Sequence, residues 1–304
     1  MKWIKLKNIF TPNNYFEWMV SHAANPFAEY ISKNIFRIYF TCRNNKSKSY
    51  IGYADVDFTS EFNVINVSDK PVLCPGDPGL FDDSGVAMSY LINVDYKKYL
   101  YYLGWNLKVT VPWLNTIGLA VWNQQKQIYE KHSQAPVMDR SDEDPFSISY
   151  PSILCENGIY RMWYGSNLKW GSVQNEMAHV IKYAESKDAI HWNRTKHIHI
   201  NLEHKNEYAL SKPFVIKSDE IYQMWYSYRG NGDISTYRIG YADSPDGFTW
   251  TRKDTEAGID VSQDGWDSEM ICYPFIFDHE GERYMLYNGN GYGKTGFGIA
   301  QLIK

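Results

Sequence analysis

The segments IYRMWYGS at residues 159–166 and IYQMWYSY at residues 221–228 are two copies of one strand. Both are short, rich in aromatic side chains and bounded by turn residues, which is how a strand reads. Three further copies occur: IFRIYF at 35–40, YLYYLGW at 99–105 and RYMLYNG at 283–289. Anchored on Phe40, Tyr102, Tyr164, Tyr226 and Tyr287, the copies are spaced 62, 62, 62 and 61 residues apart. A fixed period of this kind is the mark of a repeat architecture. A second element follows each anchor: YIGYADVD, TIGLAVW, VIKYAESKD, RIGYADSPD and FGIAQL, sharing Ala54, Ala120, Ala184, Ala242 and Ala300. Another precedes it: NPFAEYI, AMSYLIN, YPSILCE, KPFVIKS and YPFIFDH. In the last three units a proline (Pro151, Pro213, Pro274) stands 13 residues before the anchor, as if opening the strand, where its missing N–H is tolerated.

A fourth strand shows as IHWNR and FTWTRKD in the third and fourth units. Four short strands per unit is the size of a propeller blade. The last unit stops after its third strand, and WIKLKNIF at residues 3–10 is strand-like without a partner of its own. The expectation is an all-β, five-bladed β-propeller whose N-terminal strand closes the last blade and leaves no open edge there. The blades should run roughly 20–68, 80–131, 142–196, 205–254 and 265–304 plus 3–10, one domain over 1–304. A β-sandwich would not require so even a period, and a helical solenoid is excluded by the strand-forming units.

The net charge of −4 gives no basic footprint, which argues against nucleic acid as a partner. No apolar run reaches the roughly 20 residues that span a bilayer, and the start MKWIKLKNIF lacks the apolar core of a secretion signal. Cys42, Cys74, Cys155 and Cys272 lie far apart with no CxxC pair. The expectation from these features is a cytoplasmic chain with reduced thiols and no metal or cofactor. His197 and His199, with His191 and His204 near them, lack a third ligand at a familiar spacing. Gly291 to Gly296 matches GxGxxG and contains GKT, but a strand rather than a helix follows, so the segment reads as a turn.

Carboxylates recur before the inner strands of the second to fifth units: Asp82-Asp83, Asp142-Glu143-Asp144, Glu207, and Asp267 with Glu269. Ring closure would bring such positions to one end of the central axis. A pair of carboxyl groups there is what glycosidic cleavage uses, one as acid and one as base or nucleophile. Asp83, Glu207, Glu269 and Asp267 are therefore the catalytic candidates, with Glu269, flanked by Trp266, Met270 and Ile271, as proton donor and Asp83 as base or nucleophile. Loop acids also cap turns and face solvent, the plainer reading for any one of them. His22, Asn25, Arg43, His179, Lys212, Arg229, Arg238, Asn288 and Lys294 are candidates for binding hydroxyls or anions, since arginine grips carboxylate and phosphate in bidentate fashion. Trp105, Trp113, Trp170 and Trp266 are candidate sugar platforms, or core.

With the blade pattern, the YAESKDAIHW and YADSPDGFTW strand pairs and the DGWDSEM and YMLYNGNGYGKTGFG segments, nearly the whole chain resembles the five-bladed superfamily of glycoside hydrolase families 32, 43 and 130. It is most similar to uncharacterised members from bacterial surface-polysaccharide gene clusters. The resemblance implies a glycosidase or transglycosidase acting on a bacterial glycan or its precursor, with a carbohydrate or sugar phosphate as ligand. In family 43 an Asp-Pro in the first blade supplies the base and a Glu before the third-blade strand the acid. Here those positions read Asn25-Pro26 and Tyr150-Pro151. That departure keeps open a second reading, a sugar-binding, glycosyl-transferring or phosphorolytic propeller without the usual triad.

Overall fold

A computed structural model describes residues 1–59, 61–171 and 177–303. Strand β1 (Trp3–Phe10) precedes five antiparallel runs. The first is β2 (Ser21–Ser32), β3 (Ile35–Arg43), β4 (Ser49–Asp57) and β5 (Asn63–Val67), and the second is β6 (Gly85–Val94), β7 (Lys97–Leu107), β8 (Trp113–Asn123) and β9 (Ile128–Lys131). The third is β10 (Ile148–Glu156), β11 (Ile159–Lys169), β12 (Ala178–Ser186) and β13 (Asn193–Arg194), and the fourth is β14 (Glu207–Ser218), β15 (Ile221–Gly230), β16 (Arg238–Ser244) and β17 (Thr251–Arg252). The last is β18 (Cys272–His279), β19 (Glu282–Asn288) and β20 (Phe297–Leu302), with β1 pairing antiparallel to β20 as its fourth strand. The first strands β2, β6, β10, β14 and β18 touch in cyclic order, β18 returning to β2. That ring is the β-propeller arrangement expected from the repeat, with the N-terminal strand closing it.

The anchor positions explain the period. Tyr102, Tyr164 and Tyr287 each donate a hydrogen bond to a buried aspartate 20 residues earlier, Asp82, Asp144 and Asp267, at 3.1, 2.8 and 2.9 Å. Each aspartate also meets a cation: Lys131 at 2.6 Å, Lys182 at 3.0 Å and Lys5 at 2.7 Å. In the fourth unit Asp254 plays this part for Tyr226, paired with Arg252. A buried hydroxyl and carboxylate satisfy each other and need the cation to offset desolvation. The third strand must be slim behind the ring: a Cβ on Gly118 would lie 2.3 Å from the Tyr102 ring.

The inner strands share a second device. All five break register at the same place, between Ala24 and Phe27, Met88 and Tyr90, Ser149 and Ser152, Ser211 and Phe214, and Cys272 and Phe275. The residue before the proline takes a left-handed backbone in four of them: Asn25 (φ 55°), Tyr150 (φ 42°), Lys212 (φ 52°) and Tyr273 (φ 58°). Proline thus sits at a bulge inside the strand rather than at its first residue, a position equally free of ladder hydrogen bonds. Just past the bulge, Phe27, Tyr90, Phe214 and Phe275 pack on one another with ring centroids 4.3 to 6.5 Å apart. They plug the axis and turn the channel into a cup. Among the described residues no helix is long and apolar enough to cross a membrane.

Candidate functional site

The cup is a cavity of about 390 Å³ at the end of the ring where the inner strands begin. Each unit reaches it from the bulged start of its first strand, the end of its second or the start of its third, as shown by Asn25, Arg43 and Ser49 in the first unit. Chemically it has three walls. Trp105, Trp113 and Trp170 form an aromatic side; the Trp113 and Trp170 rings meet edge to face with centroids 5.3 Å apart. The Trp105 indole N–H donates to Ser49 Oγ at 2.8 Å and that of Trp170 to Ser147 Oγ at 3.3 Å, which fixes both rings.

The second wall is cationic. Arg229 is buried, with its guanidinium over the rings of Tyr237 (4.5 Å), Tyr208 (5.2 Å) and Tyr292 (5.6 Å), and it donates to the Tyr292 hydroxyl. Burial alone would lower its pKa, but the surrounding phenols, Tyr237 foremost, raise it on balance, and it stays charged. Its Nε has no hydrogen-bond partner among the described residues. Arg43 stands nearer the rim beside His22. Burial, then Arg43 and Lys294, push the His22 imidazole down to about 4, so it is neutral at pH 7. Burial holds the Tyr150 and Tyr237 phenols up at about 12, leaving them neutral donors.

The third wall, Ser149, Asn167 and His179, belongs to the third unit. Ser149 lies opposite Gly165, and Asn167 opposite His179. Ser149 Oγ is 3.2 Å from His179 Nε2, while His179 Nδ1 donates to the Leu210 carbonyl. Burial, partly opposed by the Leu210 carbonyl, and then Arg229, push His179 down to about 4.

Six of the binding residues expected from sequence line the cavity: His22, Asn25, Arg43, Trp105, His179 and Arg229. Trp113 and Trp170 join them. Lys212, Arg238, Trp266, Asn288 and Lys294 do not. Lys212 passes below the cup and donates to the Ser89 carbonyl at 2.8 Å. Asn288 accepts from the Asn25 N–H and donates to the Ala23 and Gly296 carbonyls, bracing the first bulge. Arg238 is tied to Asp260 and the Glu269 carbonyl, Trp266 packs on Tyr287, and Lys294 is exposed.

The expected gathering of acids at the axis needs correcting: no carboxylate is among the described residues that line the cavity. Asp83 accepts from the Gly79 N–H and from Ser84 within its own turn. Glu207 is buried in a bidentate pair with Arg252, both bonds 2.9 Å. Asp267 holds Tyr287 and Lys5, and Glu269 is exposed. The bulge is the physical reason: it re-aims the chain, so an offset counted from the proline does not tell which face a side chain takes. Sequence reasoning missed Tyr150, Tyr237, Tyr273, Tyr292, Asn115 and Asn167. Tyr150 and Tyr273 carried a usable signal, because they precede a proline as Asn25 does.

No protein-family model matches the chain. It is 45% identical over 302 residues to the "Uncharacterized protein Rv1502" of Mycobacterium tuberculosis, covering 99% of both chains. Among solved structures it is similar to a glycoside hydrolase, with a TM-score of 0.75 at 15% identity, over 98% of this chain and 90% of the other. It is also similar to a glycosyl hydrolase from Bacteroides ovatus, with a TM-score of 0.72 at 14% identity, over 99% and 92%. A thermostable family-43 glycoside hydrolase and a structure of the family-130 mannoside phosphorylases share the fold, at TM-scores of 0.64 and 0.68.

Proposed function

We infer that this chain, which belongs to the family of the Mycobacterium tuberculosis relative and has the propeller fold of the glycoside hydrolases, binds an acidic carbohydrate in its axial cavity. One observation carries the reading. Arg229 lines the cavity, is buried and charged, and has no ion-pair partner among the described residues, where its Nε also lacks a hydrogen-bond partner. An uncompensated buried charge costs about 3–5 kcal/mol. A carboxylate or phosphate on the ligand would offset that cost, with Arg43 as a second contact. The tryptophan wall suits the apolar face of a sugar ring, and the neutral phenols and amides suit its hydroxyls.

A sugar acid or sugar phosphate is thus favoured over a neutral glycan. The cavity wall also favours transfer or binding over cleavage by two carboxyl groups, because the described lining offers neither acid nor nucleophile of that kind. The test is calorimetric titration with glucuronate, glucose 6-phosphate and glucose at two salt concentrations. The acidic sugars should bind at least ~10-fold more tightly than glucose, a difference of about 1.4 kcal/mol, and Arg229→Gln should abolish the preference. Equal affinity for charged and neutral sugars in the wild type would overturn the reading.

A further inference from the structure

We propose that Ser149 and His179 form a nucleophile–base pair, and that the cavity removes or transfers an acyl group carried as an ester on its carbohydrate. This goes beyond the binding reading and is tested separately from it.

The pair has the parts that an activated serine needs: a base within hydrogen-bond reach and a third group that orients the base. Ser149 Oγ is 3.2 Å from His179 Nε2. The His179 Nδ1–H is committed to the Leu210 carbonyl, which leaves the Nε2 lone pair facing Ser149. Serine and histidine are both buried, and both line the cavity.

The surrounding chain makes room for this contact. Ser149 pairs with Gly165 and His179 with Asn167 on adjoining strands, which puts Ser149, Asn167 and His179 on one face around the glycine. A Cβ at Gly165 would fall 2.4 Å from His179 Cε1 and 2.6 Å from Ser149 Oγ. Only glycine lets the two side chains meet there. Asn167 supplies the remaining part. It is buried, it lines the same wall, and its Nδ2 has no hydrogen-bond partner among the described residues. A free amide donor beside a serine suits the oxyanion of an acyl-transfer intermediate. Burial keeps the imidazole neutral at pH 7, the form that can accept a proton.

The chemistry balances with water as the co-reactant. Ser149 Oγ forms a bond to the ester carbonyl carbon, and its proton passes to His179 Nε2. The tetrahedral oxyanion accepts from Asn167 Nδ2. Collapse breaks the bond between that carbon and the sugar oxygen, and the proton on His179 goes to the departing alkoxide. Water, deprotonated by His179, then attacks the acyl-serine, regenerates Ser149 and releases the carboxylic acid. A second sugar hydroxyl in place of water would give acyl transfer.

The experiment is to treat the full chain with diisopropyl fluorophosphate and locate the adduct by intact mass and peptide mapping. The wild type should gain one adduct, on Ser149. Ser149→Ala should gain none, and His179→Gln should label at least ~100-fold more slowly, in line with the usual contribution of a general base. Hydrolysis of p-nitrophenyl acetate should fall in parallel. If Ser149→Ala fails to fold, the mapped position of the wild-type adduct still decides. No adduct on Ser149 in wild-type protein that binds glucuronate would overturn this proposal and leave the binding reading intact. Labelling of His179→Gln at the wild-type rate would also overturn it.

Discussion

Lys212 lies beneath the cavity floor, and replacing it by methionine should change stability in a way that depends on pH. The side chain is fully buried, and among the described residues its Nζ has one partner, the Ser89 carbonyl at 2.8 Å. Burial pushes the amine from 10.5 down to about 7. Between these two values the unfolded chain holds the proton and the folded chain does not. Unfolding therefore takes up a proton, and stability rises with pH across that window. An amine held at about 7 instead of 10.5 makes the lysine a burden of about 4 kcal/mol at pH 7, shrinking to about 1 kcal/mol by pH 10. Methionine removes that burden and leaves the Ser89 carbonyl unpaired, at about 1–3 kcal/mol. Lys212→Met should thus be about 1–3 kcal/mol more stable than wild type at pH 7 and no more stable, or less, at pH 10. Urea unfolding of both proteins at pH 7, 8, 9 and 10 measures the difference. Since Lys212 does not line the cavity, affinity for acidic sugars should be unchanged. Parallel stability curves for the two proteins would refute the reasoning, because they would mean that the lysine keeps its ordinary pKa in the fold.

Three further outcomes follow from the geometry. Gly165→Ala should fold with a loss of about 1–3 kcal/mol from overpacking and should stop fluorophosphonate labelling of Ser149; labelling at the wild-type rate would show that the glycine does not make room for the pair. Asp267→Asn should cost about 2–4 kcal/mol, because Lys5 and the Tyr287 hydroxyl lose a buried carboxylate, and it should leave sugar affinity intact; calorimetry showing a tenfold loss of affinity in a protein of unchanged melting temperature would place Asp267 in the site instead. Trp113→Ala removes one half of the edge-to-face pair with Trp170 and should weaken glucuronate and glucose by a similar factor, about 5- to 30-fold for 1–2 kcal/mol of lost ring contact; selective loss of the acidic sugar alone would contradict a platform role.

The architecture was legible because a structural unit repeats in the sequence. In three of the five units the 62-residue spacing of the anchors reports a tyrosine that donates to a buried aspartate 20 residues before it, as Tyr102 does to Asp82 and Tyr164 to Asp144. Phe40 lacks the hydroxyl, and no aspartate stands 20 residues before it; that position is Val20. The closing role of residues 3–10 was legible for a similar reason, since a strand-like segment without a partner matched a blade that was one strand short. The position of the prolines was read less well. They mark a bulge, and a bulge makes the face of every residue around it uncertain by one step. Lys212 and Asn288 were singled out as polar residues near the axis. In the fold they serve the backbone, one reaching Ser89 and the other Asn25.

The same logic explains why the recurring acids led away from the cavity. A residue that returns at the same offset in several blades answers a need that those blades share, and here the need is a buried acceptor for the anchor hydroxyl and a counterion for a lysine. Asp82, Asp144 and Asp267 meet it with the same 20-residue offset. A ligand-binding cavity on the axis of a repeat has the opposite requirement, because a sugar has no five-fold symmetry and its walls must differ. The informative residues are those that break the pattern. Arg229 lies at the end of a second strand in one unit, and Trp113 opens a third strand in another. Tyr292 reaches Arg229 from a turn whose backbone is left-handed at Gly291 and at Tyr292 itself. Gly165 faces Ser149 and His179 where the equivalent anchor-plus-one positions are Thr41, Leu103, Ser227 and Asn288. Trp113 and Tyr292 each depart singly from the repeat, Arg229 shares its place three residues past the anchor with Arg43 alone, and these four line the cavity while Gly165 makes room for Ser149 and His179. In a propeller read from sequence, the repeat locates the axis and the exceptions at one end of it locate the chemistry.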